Sequence, residues 1–279
     1  MFTHILLTIK TSKLFKYKLL ILPSFILFFS FTQSFAQSGL IVAPTMLEFE
    51  GRERYSTLTL VNRGTESHSY RISFINQKML ENGEMVPVDT PAPNEGFAAQ
   101  YLRYSPRQIT LLPNRPQTVR VMLRLPGDAS DGEYRSHLLF QQLPDTSSPV
   151  SQQSDGDGLG VSITAQFGIT IPVFIRKGNL VASASISDIE NYTDDQGKTI
   201  LGFTINREGN KTIRGHISVK ANGKEIGRLK GFPVYLSTEK RKVGVILDES
   251  NITGKNLQIE YRARDRDGGD VIALAQKQY

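Results

Sequence analysis

Residues 161–175 read VSITAQFGITIPVFI, and they alternate throughout. Val161, Ile163, Ala165, Phe167, Ile169, Ile171, Val173 and Ile175 are all apolar. The residues between them, Ser162, Thr164, Gln166, Gly168, Thr170, Pro172 and Phe174, are mostly polar or small. Side chains two apart share one face of a β-strand, so this segment predicts a strand with one wholly apolar face. Strands usually run about five or six residues. Fifteen residues at about 3.3 Å each extend on the order of 50 Å, farther than one sandwich is expected to cover. Part of the apolar face is therefore expected to overhang. Pro172 has no N–H for a ladder and points to a sheet edge. Two readings are open. In one, the strand covers its own core, kinked at Gly168 into two ordinary strands. In the other, it pairs with a second protein, where backbone hydrogen bonds give affinity and alternate side chains fill pockets. Burying five such side chains gains roughly 8–15 kcal/mol gross, reduced by the costs of ordering and association.

The rest of the chain repeats the β pattern. Short runs rich in Val, Ile, Thr, Tyr and Phe alternate with Gly, Pro, Asn and Asp clusters, and no sustained 3.6-residue apolar period appears. Before residue 161, strands are expected at 40–49 (interrupted at Pro44), 55–62, 70–74, 101–104, 107–112 (across Pro106), 118–125 and 133–142. Residues 76–95 are polar, with Asn82-Gly83 as a turn. Residues 145–160 have the composition of a mobile loop. After a break at Lys177-Gly178-Asn179, strands are expected at 180–189, 201–206, 212–221, 232–236, 242–247, 257–263 and 271–275. Asn222-Gly223 and Asp267-Gly268-Gly269 are hairpin signals. The expectation is an all-β chain of two immunoglobulin-like β-sandwich domains in tandem, residues 37–177 and 178–279. Tyr134, just after Asp131-Gly132-Glu133, resembles the tyrosine that pins a corner at the sixth strand of such sandwiches.

Composition narrows the function. At 279 residues, the length suits two domains. With no cysteine, disulfides, thiolate metal sites and cysteine nucleophiles are excluded. The formal charge is +6, but residues 1–36 hold Lys10, Lys13, Lys16 and Lys18 and no acid. The remainder has 29 basic and 27 acidic residues, a balance of +2 that gives no reason to invoke nucleic acid. Residues 1–36 read as a signal peptide: lysines, then the thirteen-residue apolar run 19–31, then Ser34-Phe35-Ala36 before a cleavage point at Gln37. No second long apolar run follows, so the mature chain is expected to be exported, soluble and without a stable membrane insertion.

Several segments together resemble the periplasmic pilus-assembly chaperones, the PapD-like family. They are Ile41-Val42-Ala43-Pro44-Thr45 with Phe49-Glu50-Gly51; residues 55–62 with Arg63-Gly64; residues 104–111; residues 117–121; residues 132–144; and Phe174-Ile175-Arg176. The resemblance covers most of residues 38–177 and loosely the remainder. It implies two immunoglobulin-like domains with a cleft between them. It also implies that the seventh strand of the first domain is lent to a pilin or fimbrial subunit, which is then delivered to an outer-membrane usher. Carried over residue by residue, the lent face is Val161, Ile163, Ala165, Phe167 and Ile169. An inter-domain ion pair falls on Glu133 and Arg176. The family's two basic cleft residues, which hold the subunit's terminal carboxylate, fall on Met46 and Pro172, and neither can neutralise an anion. Arg103, Arg107, Arg120 and Lys177 are the candidate substitutes.

No catalytic constellation stands out. His68, His137 and His216 lack metal-ligand spacing, and no nucleophile elbow or phosphate loop is present. Asp155 with Asp157, and Asp265 with Asp267 and Asp270, read as solvated turns lacking an EF-hand's spacing. The expectation is a non-enzymatic protein without a cofactor. The alternative to a chaperone is a structural or adhesive surface protein built of the same sandwiches.

Overall fold

Ten of the first twelve strands build the first sandwich of the computed structural model, and the other two form a separate hairpin; the structure describes residues 39–93, 95–144, 167–249, 251–264 and 269–279. The twelve are β1 (Leu40–Ala43), β2 (Leu47–Glu50), β3 (Tyr55–Asn62), β4 (His68–Ile75), β5 (Gln77–Met79), β6 (Met85–Pro87), β7 (Glu95–Gly96), β8 (Leu102–Ser105), β9 (Gln108–Leu111), β10 (Gln117–Leu123), β11 (Gly132–Gln142) and β12 (Gly168–Lys177). One sheet has the order β1-β3-β10-β8 and the other β2-β12-β11-β4-β9, with β7 beside β11. Two extended runs change sheets at a proline: β1 passes into β2 at Pro44, and β8 into β9 at Pro106. A proline donates nothing to a ladder, so it suits a place where a strand leaves its partner. The pairing is that of an immunoglobulin sandwich: first, second, fifth and fourth strands in one sheet, and third, sixth and seventh in the other.

Leu58, Leu60, Val119 and Val121 from one sheet meet Leu138, Phe140, Val173 and Ile175 from the other in a single buried cluster. Each such side chain contributes roughly 1.5–3 kcal/mol relative to exposure. The Tyr134 hydroxyl donates to the Ser130 carbonyl at 2.7 Å, so its hydrogen bond reaches back four residues at the start of β11. Within the polar segment 76–95, β5 and β6 form a small hairpin around Asn82-Gly83. Three residues per strand are too few for alternation to register in the sequence.

Seven strands follow: β13 (Ala182–Thr193), β14 (Thr199–Gly209), β15 (Ile213–Ala221), β16 (Lys224–Val234), β17 (Lys240–Ile246), β18 (Asn256–Ala263) and β19 (Val271–Gln278). Their sheets are β13-β14-β17 and β16-β15-β18-β19. Leu201, Phe203, Ile205, Val243 and Val245 pack on Ile217, Val219, Leu257 and Ile259 as a second, separate core. β16 begins well before the strand expected at 232–236. It is an edge strand exposing Arg228 and Lys230, paired to β15 and contributing only Ile226 and Leu229 to the second core, so its first half shows no regular alternation to read. Asn222 and Gly223 both have positive φ, 48° and 86°, and close the β15–β16 hairpin. At the break after β12, Gly178 has φ 81°, and a Cβ there would lie 2.3 Å from the Asp131 carboxylate, so glycine is required.

Candidate partner-binding site

Along its whole length β12 pairs with β11, from Gly132 opposite Lys177 to Gln141 opposite Gly168. On its other edge, β2 pairs only with Val173 through Arg176. Over residues 168–172, therefore, no described strand covers that edge. Pro172 stands at its inner limit, just beyond the last paired residue. The strand is thus interior at one end and an edge at the other, a division that proline alone could not reveal.

The apolar face of β12 leaves the core in the same direction. Ile175, Val173 and Ile171 are 1%, 0% and 3% exposed, whereas Ile169 is 36% and Phe167 69% exposed. Ile169 sits opposite the fully buried Phe140, so it lies at the rim of the sandwich. Backbone pairing persists to this point, with Gln142 N–H donating to the Phe167 carbonyl at 2.9 Å. Val161, Ile163 and Ala165 fall outside the described residues.

The opposite face of the same sheet is not solvated; it is the seat of the second sandwich. Along β11 the outward residues are Glu133, Arg135 and His137, all buried. Along β12 they are Phe174 and Arg176, and from β2 comes Glu48. Arg176 Nε donates to Glu133 Oε2 at 3.0 Å, and Arg176 also donates to Glu48 at 3.0 Å. Glu133 has a fully buried carboxylate. It accepts from the Thr212 N–H at 3.2 Å to each oxygen and from the Thr212 hydroxyl. The pair that the resemblance put on Glu133 and Arg176 therefore touches both sandwiches. Arg207 shapes the loop that presents Thr212, donating to the carbonyls of Gly209 at 2.9 Å and Leu236 at 3.2 Å.

A second polar contact lies on the far side of Phe174. Arg135 Nε donates to Glu95 at 2.7 Å, and other guanidinium N–H groups donate to the Gln77 carbonyl and the Ser237 hydroxyl. Its guanidinium carbon is 4.4 Å from the centre of the Tyr235 ring. Burial pushes the Glu95 carboxyl upward, and the charge of Arg135 opposes that. The β5–β6 hairpin completes the seat: the Thr238 hydroxyl donates to the Met79 carbonyl, and Lys242 N–H donates to the Glu81 carbonyl at 2.8 Å.

Between the sandwiches is a cavity of about 320 Å³, lined by Met46, Glu48, Phe174 and Arg176 on one side and by Lys211, Arg214 and Arg264, with apolar neighbours, on the other. Among the described lining residues, four cations accompany one carboxylate. Arg214 and Arg264 each direct a guanidinium N–H at the Met46 sulfur, 3.0 Å away, which is a weak acceptor. Arg214 Nε is buried with no partner among the described residues. The arrangement can hold an anion that has an apolar tail.

The four arginine and lysine substitutes weighed from sequence lie elsewhere. Arg103 donates to the Gln100 and Leu102 carbonyls, and Arg107 lies over the Tyr104 ring. Arg120 is exposed on the other sheet, and Lys177 donates to the Gly127 and Ala129 carbonyls. Met46 does line the cavity, but besides Arg176 of β12 the cations come from β15, from Arg264 just after β18 and from the loop before β15. Their one sequence signal is alternation in β15, where Arg214 and His216 oppose Ile213 and Ile217. That pattern reads equally well as a solvated face.

No protein-family model matches the chain, and no curated protein does. Solved structures do align with it. The YadV chaperone is 12% identical, with 86% of this chain and 99% of that one covered and a TM-score of 0.46. The periplasmic chaperone SfaE is 12% identical, covers 86% and 99%, and has a TM-score of 0.43. A chain of the CsuC–CsuE chaperone–tip subunit pre-assembly complex from the archaic chaperone-usher Csu pili of Acinetobacter baumannii is 13% identical, covers 86% and 98%, and has a TM-score of 0.44. With TM-scores below 0.5, the likeness bears no functional weight for this chain.

Proposed function

We propose that this chain is an exported, non-enzymatic assembly chaperone. It acts in the periplasm and shields an incomplete pilus or fimbrial subunit by lending it the free edge and apolar face of β12. The observation that carries this reading is the exposure gradient along one face, from Ile171 at 3% to Phe167 at 69%, on a strand whose outer edge has no partner strand among the described residues over 168–172. Exposed apolar edges invite aggregation, and folded proteins usually blunt them with charge or cover. Here residues 167–172 carry neither Lys nor Glu. An edge kept open and apolar suits strand addition, in which the partner's backbone completes the sheet and its pockets take Phe167 and Ile169. The family resemblance in the sequence extends the same face to Val161, Ile163 and Ala165 and adds delivery to an outer-membrane usher.

The cavity has a part in the same reading. It lies beside β12, and Lys211, Arg214 and Arg264 take the role that the resemblance gave to Met46 and Pro172. They anchor a carboxylate of the captured subunit. Charge-assisted hydrogen bonds from a guanidinium suit that task.

The test is capture of a co-expressed pilus subunit by a Phe167→Asp, Ile169→Asp variant. Both side chains are at the rim, so the unfolding midpoint is expected to stay near that of the parent while one-to-one capture is lost. Retained capture with a folded variant would remove β12 from the mechanism.

A further inference from the structure

We infer that the junction between the two sandwiches is a latch that opens while both stay folded, and that uptake of a proton by His137 releases it. None of this rests on the capture of a subunit. Each sandwich has its own large apolar core, whereas the buried apolar cluster between them is Met46, Met79, Phe174 and Tyr235. Polar bonds hold the remainder, and they are incomplete. Four buried side-chain nitrogen or oxygen atoms have no hydrogen-bond partner among the described residues, and three of them are here: His137 Nδ1, Arg214 Nε and Arg241 Nε. Arg214 and Arg241 turn a guanidinium N–H to the sulfurs of Met46 and Met79, at 3.0 and 3.1 Å, and a thioether is a weak acceptor. Unpaired buried polar groups cost stability, and this cost falls on the junction rather than on either core. A junction of this kind separates before the cores do.

His137 makes the latch sensitive to acid. An arginine only donates, so the 3.5 Å contact between Arg135 and His137 Nε2 assigns Nε2 as the acceptor and leaves the ring proton on the unpartnered Nδ1. A proton arriving at Nε2 removes that acceptor and sets two cations side by side in a buried seat. The buried carboxylates nearby are engaged, Glu95 by Arg135, and Glu133 by Arg176 and Thr212. Opposite His137, β12 and β4 place Pro172 and Ile75. The second sandwich brings Tyr235, edge to the ring at 6.2 Å, and the charges of Arg214 and Arg241 act on that same tyrosine. Burial and the Arg135 charge hold the folded ring's pKa down at about 3, so the closed latch refuses a proton that the open one takes near 6.5. Closure is therefore at full strength above pH 6.5 and weakens as the pH falls towards 3. Glu95 acts the other way: burial pushes its carboxyl up, so a proton there favours the closed latch. Replacing His137 isolates its share. In the proposed function, holding a subunit at β12 and at the cavity together needs the closed seat, so opening is a step towards release.

The experiment is native-state hydrogen exchange of the purified protein, read by NMR at pH 7 and pH 5 and corrected for intrinsic rates. It follows two amides that bond across the junction, Thr212 to Glu133 at 3.2 Å and Lys242 to the Glu81 carbonyl at 2.8 Å. At pH 7 both are expected to exchange at least about tenfold faster than the slowest amides of β3 and β14, an interior strand from each sandwich. From pH 7 to pH 5 their opening constant is expected to rise about 25-fold more in the parent than in His137→Gln. Junction amides as slow as the slowest of β3 and β14 would mean that the sandwiches part only on unfolding, and the latch fails. Faster junction amides with the same pH dependence in both proteins would remove His137 as the trigger and overturn the inference as stated. If His137→Gln does not fold, the parent's imidazole is titrated by NMR instead. A ring still neutral at pH 5 in the folded protein supports the latch; a ring that charges near pH 6.5 with the junction amides still protected overturns it.

Discussion

His137 is held as a neutral imidazole beneath the second sandwich. Burial pushes its pKa down to about 3, and the nearby Arg135 guanidinium, 3.5 Å from Nε2, adds to the effect. In the unfolded chain the same ring titrates near 6.5. The sign follows: below that value the unfolded state gains a proton that the folded state refuses, so stability falls as the pH drops from about 6.5 towards 3. Between pH 7 and pH 5 the loss assignable to this residue is about 2 kcal/mol. Denaturant unfolding at the two pH values is expected to differ by about that much more in the parent than in His137→Gln. The sequence has His137 as a strand residue and no more, because its neighbour in space, Tyr235, is far along the chain. Glu133 and Arg176 were legible only through family resemblance, since two charges at strand ends read equally well as solvated. Lys211, Arg214 and Arg264 were not legible as a site, since the alternation that carries Arg214 reads equally well as a solvated face. What makes them a site is convergence across two sandwiches, and no local spacing encodes that.

β12 is the element in which pattern and structure agree most closely. Its alternation marks the apolar face, and Pro172 marks the edge. The structure adds where the core stops, between Ile171 and Ile169. Ile171→Ala removes fully packed atoms and is expected to cost roughly 2–5 kcal/mol. Phe167→Ala, at an exposed position, is expected to stay within about 0.5 kcal/mol of the parent. Equilibrium unfolding of the two variants measures the step directly, and equal costs would mean that the rim has been misplaced. The elements that escaped the sequence share a physical cause. The β5–β6 hairpin is too short to show a period, and the first half of β16 puts only Ile226 and Leu229 on the second core, three residues apart and among charged neighbours, so it does not alternate as a strand would. Strands with a regularly alternating buried face announce themselves; short or irregular ones do not.

At the scale of the whole molecule, the outward faces of β2, β12 and β11 seat the second sandwich, while the core face of β12 runs out beyond the first. One strand thus serves its own sandwich core, the junction and an open edge. The two-sandwich architecture was readable from turn signals and strand spacing; the buried polar seat between them was not, because Glu133, Arg135 and His137 alternate as surface residues would. The junction places the cavity cations beside β12, and in the proposed function this lets one subunit be held by an apolar segment and by a carboxylate together. Amide hydrogen exchange at Gly168 and Thr170, whose N–H groups the register directs away from β11, in the free protein and in a one-to-one complex with a pilus subunit, probes the lending of the edge most directly. We predict at least about tenfold slower exchange at these positions in the complex, because a partner strand closes amides that are open in the free protein. Unchanged exchange there in a stoichiometric complex would mean that the subunit is held by some other surface.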